Sequence, residues 1–276
     1  IIKRMNHYPE QIKETKQAII NKLKKDHNLD YTLDKIVISN GAKHSLFNLA
    51  QALIDEGDEV IIPSPYWVTY PELVVYSGGV PVFIETDEST EFKITAKQLK
   101  EKITPKTKIL MLNSPSNPTG SIYSKDELLA IGEVLKGTDI VVLSDEMYEK
   151  LIYKGKKFTA TAEVSEDMYN RTVTINGLSK SVAMTGWRFG YVACPNSALA
   201  KAMSKLQGQV TSNVNSMTQY AAIVALEGEA NKDIEMMRVE FEKRKDYAVK
   251  AINNISKLSC YDPDGAFYLF INIKKY

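Results

Sequence analysis

Lys180 lies in Gly177-Leu178-Ser179-Lys180, and Arg188 follows in Gly186-Trp187-Arg188-Phe189-Gly190. A lysine held in a cramped, partly desolvated loop loses proton affinity and becomes a usable amine nucleophile. A guanidinium nearby suits a phosphate, which it grips through two parallel hydrogen bonds. An amine with a phosphate clamp is what pyridoxal phosphate requires, because its aldehyde forms a Schiff base and its phosphate anchors it. Two surface cations beside a turn satisfy the same spacing, so the segment has to be weighed with others.

Four further segments carry candidate chemistry. In Ser144-Asp145-Glu146-Met147-Tyr148 an acid sits where a buried strand ends, which is costly unless a cation neutralises it. A protonated pyridine nitrogen would do so and would keep that ring an electron sink. A helix N-cap uses Asp145 or Ser144 equally well. Tyr148 suits a phenolate oxygen on the same ring, or the core. Asn113-Ser114-Pro115-Ser116-Asn117-Pro118-Thr119-Gly120 is stiffened by proline, so Asn117 presents its amide from a fixed position, although the text is also good turn chemistry. Ser64-Pro65-Tyr66-Trp67 offers an indole that stacks on a planar ring or packs. Asn40-Gly41-Ala42-Lys43 opens a helix whose first N–H groups suit a phosphate.

Short apolar runs precede these segments: 36–38, 60–62, 109–112, 140–143 and 172–175, with 82–84 and 191–193 completing a set. Short runs with no polar alternation are expected of strands buried on both faces of a mostly parallel sheet. Helical text intervenes. One helix is expected over 43–54, and Ser124-Lys125-Asp126-Glu127 reads as a capping box before 128–135. The alternation predicts a doubly wound α/β domain, in which ligands gather outside the carboxyl ends of the strands. Residues 197–226 and 231–255 read as long helices, the second burying Ile234, Met237, Phe241, Tyr247 and Ile252. After the turn Asp262-Pro263-Asp264-Gly265, residues 266–273 read as a strand.

The bulk numbers narrow the function classes. With 276 residues, 44% hydrophobic and 25% charged, the chain is ordinary globular text. A net charge of +1 gives no reason to expect a nucleic-acid or acidic-membrane partner. Cys194 and Cys260 form neither a disulfide framework nor a metal spacing, which favours a reducing, cytoplasmic setting. His7, His27 and His44 are scattered, against a zinc site or a Ser-His-Asp triad. No apolar run reaches membrane-spanning length.

Taken in order and spacing, Ser64-Pro65-Tyr66-Trp67, Asn117-Pro118-Thr119-Gly120, Ser144-Asp145-Glu146-Met147-Tyr148 and the Lys180-to-Arg188 segment closely resemble the class I and II aminotransferases of pyridoxal phosphate fold type I. The resemblance covers about residues 9–273. It implies a seven-stranded, mostly parallel sheet with helices on both faces, with 9–257 as a cofactor-binding large domain. Residues 1–8 would be a remnant of an N-terminal segment and 258–276 the start of a small domain. It implies that Lys180 forms the Schiff base and shuttles the proton, and that Asp145 holds the pyridinium nitrogen. Asn117 and Tyr148 would bond the phenolic oxygen, and Trp67 would stack on the ring. Arg188 with the amides of Ala42 and Lys43 would bind the phosphate. Tyr8 lies where the family reaches the phosphate of a partner subunit, implying a homodimer with shared sites. The aspartate aminotransferase subgroup is the nearest likeness. It implies L-aspartate and 2-oxoglutarate as substrates, with Trp67, Asn117 and Lys43 toward the substrate and Lys43 toward its distal carboxylate.

Departures from that pattern are the arm expected before Ile1, a glycine-containing loop expected between Tyr8 and Pro9, and the small domain with its carboxylate-binding arginine. These parts are expected to be mobile segments of the protein that the sequence in hand omits, with a real truncation as the alternative. Gly177 stands where some relatives have a phosphate-binding serine. An aromatic, alanine or prephenate-type substrate, a carbon–sulfur lyase of the same fold, a regulatory domain and a cofactor-binding remnant without catalysis remain as alternatives.

Overall fold

The computed structural model describes residues 11–275. In chain order the elements are α1 (Lys13–His27), β1 (Ile36–Asn40), α2 (Ala42–Leu53), β2 (Glu59–Ser64), α3 (Thr69–Tyr76), β3 (Val80–Glu85), α4 (Ala96–Lys102), β4 (Thr107–Asn113), α5 (Lys125–Leu135), β5 (Val141–Asp145), α6 (Glu166–Arg171), β6 (Thr172–Gly177), α7 (Leu178–Ser181) and β7 (Phe189–Ala193). Helices α8 (Ser197–Val210), α9 (Ser216–Glu227) and α10 (Asn231–Asn253) follow, then the short strands β8 (Ser259–Cys260) and β9 (Ile271–Asn272).

Each of the seven apolar runs is a strand, and together they form one sheet in the order β1-β7-β6-β5-β4-β2-β3. Pairings among β2 to β6 are parallel, whereas β7 runs antiparallel to both β6 and β1. Alternate side chains along each strand enter opposite cores, as the two-residue strand period requires. Val37, Val60, Ile62, Met111 and Val192 pack with Leu46 and Leu49 of α2 and Met203 of α8. Ile36, Ile38 and Tyr191 face the other way, onto Ile19 and Leu23 of α1 and Ala222 of α9. Ile61, Leu110 and Val142 meet Leu99, Leu128 and Met168 of α4, α5 and α6 on that same side. Both faces are covered, which is why these strands carry no polar alternation. The expected capping box is present: Ser124 accepts from the Glu127 amide while Glu127 accepts from that of Ser124.

Three expectations are corrected. Residues 197–226 are not one helix: α8 stops at Val210, Ser212 adopts φ 60°, and the Asn215 side chain caps α9 through the Thr218 amide. The break has a packing cause, since α8 lies on one face of the sheet and α9 on the other. Tyr247 is 79% exposed, and Lys245 is the buried residue of α10, paired with Asp262 at 2.8 Å. Residues 266–273 are not one strand. Only Ile271–Asn272 pairs, with Ser259–Cys260, while Ala266 turns back to donate its amide to Leu151 at 2.9 Å and to accept from the Tyr153 hydroxyl.

Candidate active site

Parallel strands deliver their carboxyl ends to one rim, and the reversed β7 delivers its beginning there. Asn40 pairs with Phe189, and Gly177 with Gly190, so the chain leaving β6 after Gly177 returns to the same edge at Arg188. That reversal brings the amine of Lys180 and the guanidinium of Arg188 to one cavity of about 240 Å³. Ala42 and Lys43 enter it from the start of α2, and Trp67 from the turn between β2 and α3. Asn117 reaches it from the loop after β4, with Asp145 and Tyr148 from the end of β5. Eight of the nine residues singled out from the sequence thus line one space; Tyr8 lies outside the described residues.

Asp145 is buried, 4% exposed, at the last position of β5. Burial pushes its carboxyl up to about 6, against hydrogen bonds from the Tyr70 hydroxyl (2.8 Å) and the Met147 amide (3.2 Å) and the charge of Lys180, which pull it down. The Met147 bond is local turn chemistry of the N-cap type, yet no helix of regular length follows. Lys180 loses proton affinity, chiefly through burial and then through the charge of Arg188, with Asp145 opposing. Its Nζ lies 5.2 Å from the ring centre of Phe267 and 5.9 Å from that of Tyr148. Burial raises the Tyr148 phenol, and its hydrogen bond with the Tyr268 hydroxyl (2.7 Å) raises it further, while Asn117 acts the other way.

The corner between Arg188 and the start of α2 is shaped by glycine backbone. Gly41 adopts φ 82°, and a Cβ there would stand 2.4 Å from Arg188 Nη2, so only glycine lets the guanidinium lie across the entrance of α2. Gly190 permits an equally close approach, with a Cβ 2.4 Å from the Ala42 amide nitrogen. The first N–H groups of α2 have no intrahelical acceptor, and they share this corner with Arg188, whose Nη1 donates to the Thr185 carbonyl at 2.9 Å. At Gly177 a Cβ would stand 2.6 Å from the Phe189 carbonyl oxygen, so β7 leaves no room for a serine there. Ser179 and Thr185 supply hydroxyls to the cavity instead. Also on the cavity lining, Lys43 Nζ sits 4.8 Å from the Trp67 ring centre.

Sequence reasoning passed over Tyr70, Asn113, Ser179, Thr185 and Tyr268, all of which line the cavity. Tyr70 follows Trp67 by three positions, and its amide donates to the Trp67 carbonyl at 3.0 Å in the turn that opens α3. Asn113 ends β4 as Asp145 ends β5, and its side chain bonds the Asp145 carbonyl at 2.9 Å and the Asn117 amide at 2.6 Å. Nothing local marks Tyr268, which arrives from far along the chain.

The fold and this rim define an open α/β protein with a cavity at the strand ends, where ligands of such sheets gather. Residues 2–276 match the family Aminotransferase class I and II, and the chain belongs to it. It is 50% identical over 260 residues to an aspartate aminotransferase of Geobacillus stearothermophilus, covering 94% of this chain and 66% of the relative. An aspartate/prephenate aminotransferase of Nitrosomonas europaea is 45% identical over 261 residues, with 94% and 65% covered. The solved aspartate aminotransferase from Rhizobium meliloti superposes with a TM-score of 0.95 at 41% identity, over 99% of this chain and 68% of that one. The chain therefore spans about two thirds of the length of the curated relatives it matches.

Proposed function

We propose that the protein is a pyridoxal phosphate-dependent aminotransferase that moves an amino group between L-aspartate and 2-oxoglutarate. The observation that carries this reading is the meeting of the Lys180 amine, the buried Asp145 carboxyl and the Arg188 guanidinium in one cavity. The residues fit the cofactor on their own chemistry. Asp145 is a buried acid whose ionised form is favoured by the charge of Lys180, and a ring nitrogen bearing a proton would pair with it directly. Gly41 and Gly190 hold open a corner of amides and guanidinium suited to a phosphate. Trp67 offers a face to a planar ring, and Asn117 and Tyr148 offer polar groups to its phenolic oxygen.

When bound, the cofactor supplies an electrophilic aldehyde and an electron-withdrawing ring. The protein does the rest. Lys180, with lowered proton affinity, has a neutral Nζ more readily available to accept a proton from a substrate α-carbon and return it two bonds away, to the carbon beyond the amino nitrogen. Asp145 keeps the ring nitrogen protonated, and Arg188 with the α2 amides anchors the far end. Lys43 beside Trp67 meets a second carboxylate, which favours a dicarboxylic substrate. The names of the relatives from Geobacillus stearothermophilus and Nitrosomonas europaea support aspartate, and the second adds prephenate as an acceptor to be assayed.

In this reading residues 9–257 are the cofactor domain and 258–276 begin a second one. Two copies form a dimer with shared sites, toward which Tyr8 contributes. Val68 and Trp187, 73% and 50% exposed beside Trp67 and Arg188, support an apolar partner at the rim. No helix among the described residues is long and apolar enough to cross a membrane, and we place the enzyme in the cytoplasm. The test is direct. Pyridoxal phosphate should give a yellow protein whose colour is lost in Lys180→Ala, and borohydride should fix the label on Lys180. Label on another lysine, or no keto-acid exchange between aspartate and 2-oxoglutarate, would sink the reading; pyruvate release from cystathionine would favour the lyase.

A further inference from the structure

Tyr70 is 3% exposed near the start of α3, packed among Val60, Ile62 and Met111 of β2 and β4. Its hydroxyl donates to Asp145 Oδ2 at 2.8 Å, while Oδ1 accepts the Met147 amide at 3.2 Å. The ring also meets the edge of Trp67, centres 5.6 Å apart at 87°. One phenol therefore touches both an acid and an indole of the cavity lining.

We propose that Tyr70 is a positioning residue, whose hydroxyl fixes the orientation and negative charge of Asp145 for pairing with a cationic ring nitrogen. The proposal rests on the cofactor reading above and adds a residue to it. The Asp145 carboxyl is buried, and burial alone favours its neutral form. A hydrogen bond donated to the charged form opposes that. Tyr70 is suited to donate without surrendering its proton, because burial and the neighbouring Asp145 hold its own ionisation well above the ordinary phenol range. The donor comes from a helix clamped in the core, so it selects one carboxylate rotamer as well as one charge state. Phenylalanine would keep the packing and remove only the donor.

The experiment compares Tyr70→Phe, Asp145→Asn and the double variant, reading pyridoxal phosphate affinity by absorbance titration and kcat and KM for aspartate. A bond from a neutral donor to a charged acceptor is worth about 10- to 100-fold. Tyr70→Phe should weaken cofactor binding by about 10-fold and lower kcat by about 10- to 100-fold, with KM changed by less than about twofold. In the Asp145→Asn background the same change should cost less than about twofold, since the acceptor charge is gone. Equal losses in both backgrounds, or an unchanged affinity with only a lowered Tm, would overturn the proposal. An unaltered protein that binds no pyridoxal phosphate would overturn the functional reading and this one with it. Cofactor binding that Tyr70→Phe leaves intact would overturn this one alone. A second measurement needs no folded Phe variant. In apoprotein labelled at tyrosine Cζ, one carbon resonance should move as Asp145 titrates and stop moving in Asp145→Asn. The lack of any such resonance would remove the hydrogen bond on which the proposal stands.

Discussion

Lys43 illustrates how much one side chain's meaning depends on its neighbour. Alone it is a cation at a helix start; 4.8 Å above the Trp67 ring it is a cation held at a cavity wall. If it meets the distal carboxylate of a dicarboxylic substrate, Lys43→Ala should raise KM for aspartate by about 10-fold, the order expected for one charge-assisted bond. KM for phenylalanine or alanine should be unmoved, and a parallel rise for all three amino donors would show that the lysine acts on something common to them. Residues of this kind were legible because each stands directly after a buried strand, where the carboxyl ends of a parallel sheet gather. Tyr70 was not legible for the opposite reason. Its partner is 75 positions away, and only the order of β2, β4 and β5 brings the two together. Tyr268 likewise depends on a fold-back of the chain after β8 that no local pattern encodes.

At the level of elements, the junction of β7 with α2 decides whether the anion corner exists. Gly190 lets the strand press against the first peptide of the helix, and a methyl group there would lie 2.4 Å from the Ala42 nitrogen and 2.5 Å from the Gly41 carbonyl carbon. Both obstacles are backbone and cannot rotate aside. Gly190→Ala should therefore destabilise the fold by about 1–3 kcal/mol, as overpacking does, and should weaken pyridoxal phosphate binding more than the loss of stability explains. Thermal melts beside cofactor titration separate the two effects; unaltered cofactor affinity would mean that the corner tolerates displacement. The sheet itself was readable from its apolar runs, and the doubly covered faces explain why. The division of 197–226 into α8 and α9 was hidden, because helical text continues on both sides of Ser212 while the two pieces serve opposite faces. Lys245 and Tyr247 were exchanged in the same way: a lysine paired with Asp262 outcompetes an aromatic ring for the buried position.

Across the whole molecule, a buried ionic cluster joins α1 to the turn beyond β5. His27 lies between Glu149 at 3.2 Å and Glu163 at 3.0 Å, with Lys22 against Glu149 at 2.5 Å and Glu146 close by. Burial would lower the imidazole, but the hydrogen bonds it donates to Glu149 and Glu163 and the charges of Glu149 and Glu146 outweigh it and hold the value up to about 9. The folded protein thus binds this proton more tightly than the unfolded chain. The stability it confers is complete below about pH 6.5 and is lost as pH rises through about 9. The Tm should fall between pH 7 and 9, and His27→Gln should flatten that slope; a melt indifferent to the substitution would mean the imidazole is neutral in the fold. Finally, the reversed β7 turns the parity of its residue count into a design constraint. Lengthening the chain by one residue between Lys180 and Arg188 would only slacken a bend. One residue added inside β7 would send Tyr191 and Val192 to each other's side of the sheet. An odd insertion there would also pull Phe189, and Arg188 before it, out of register with Asn40, whereas an even one would spare the faces and still shift the cation along the edge.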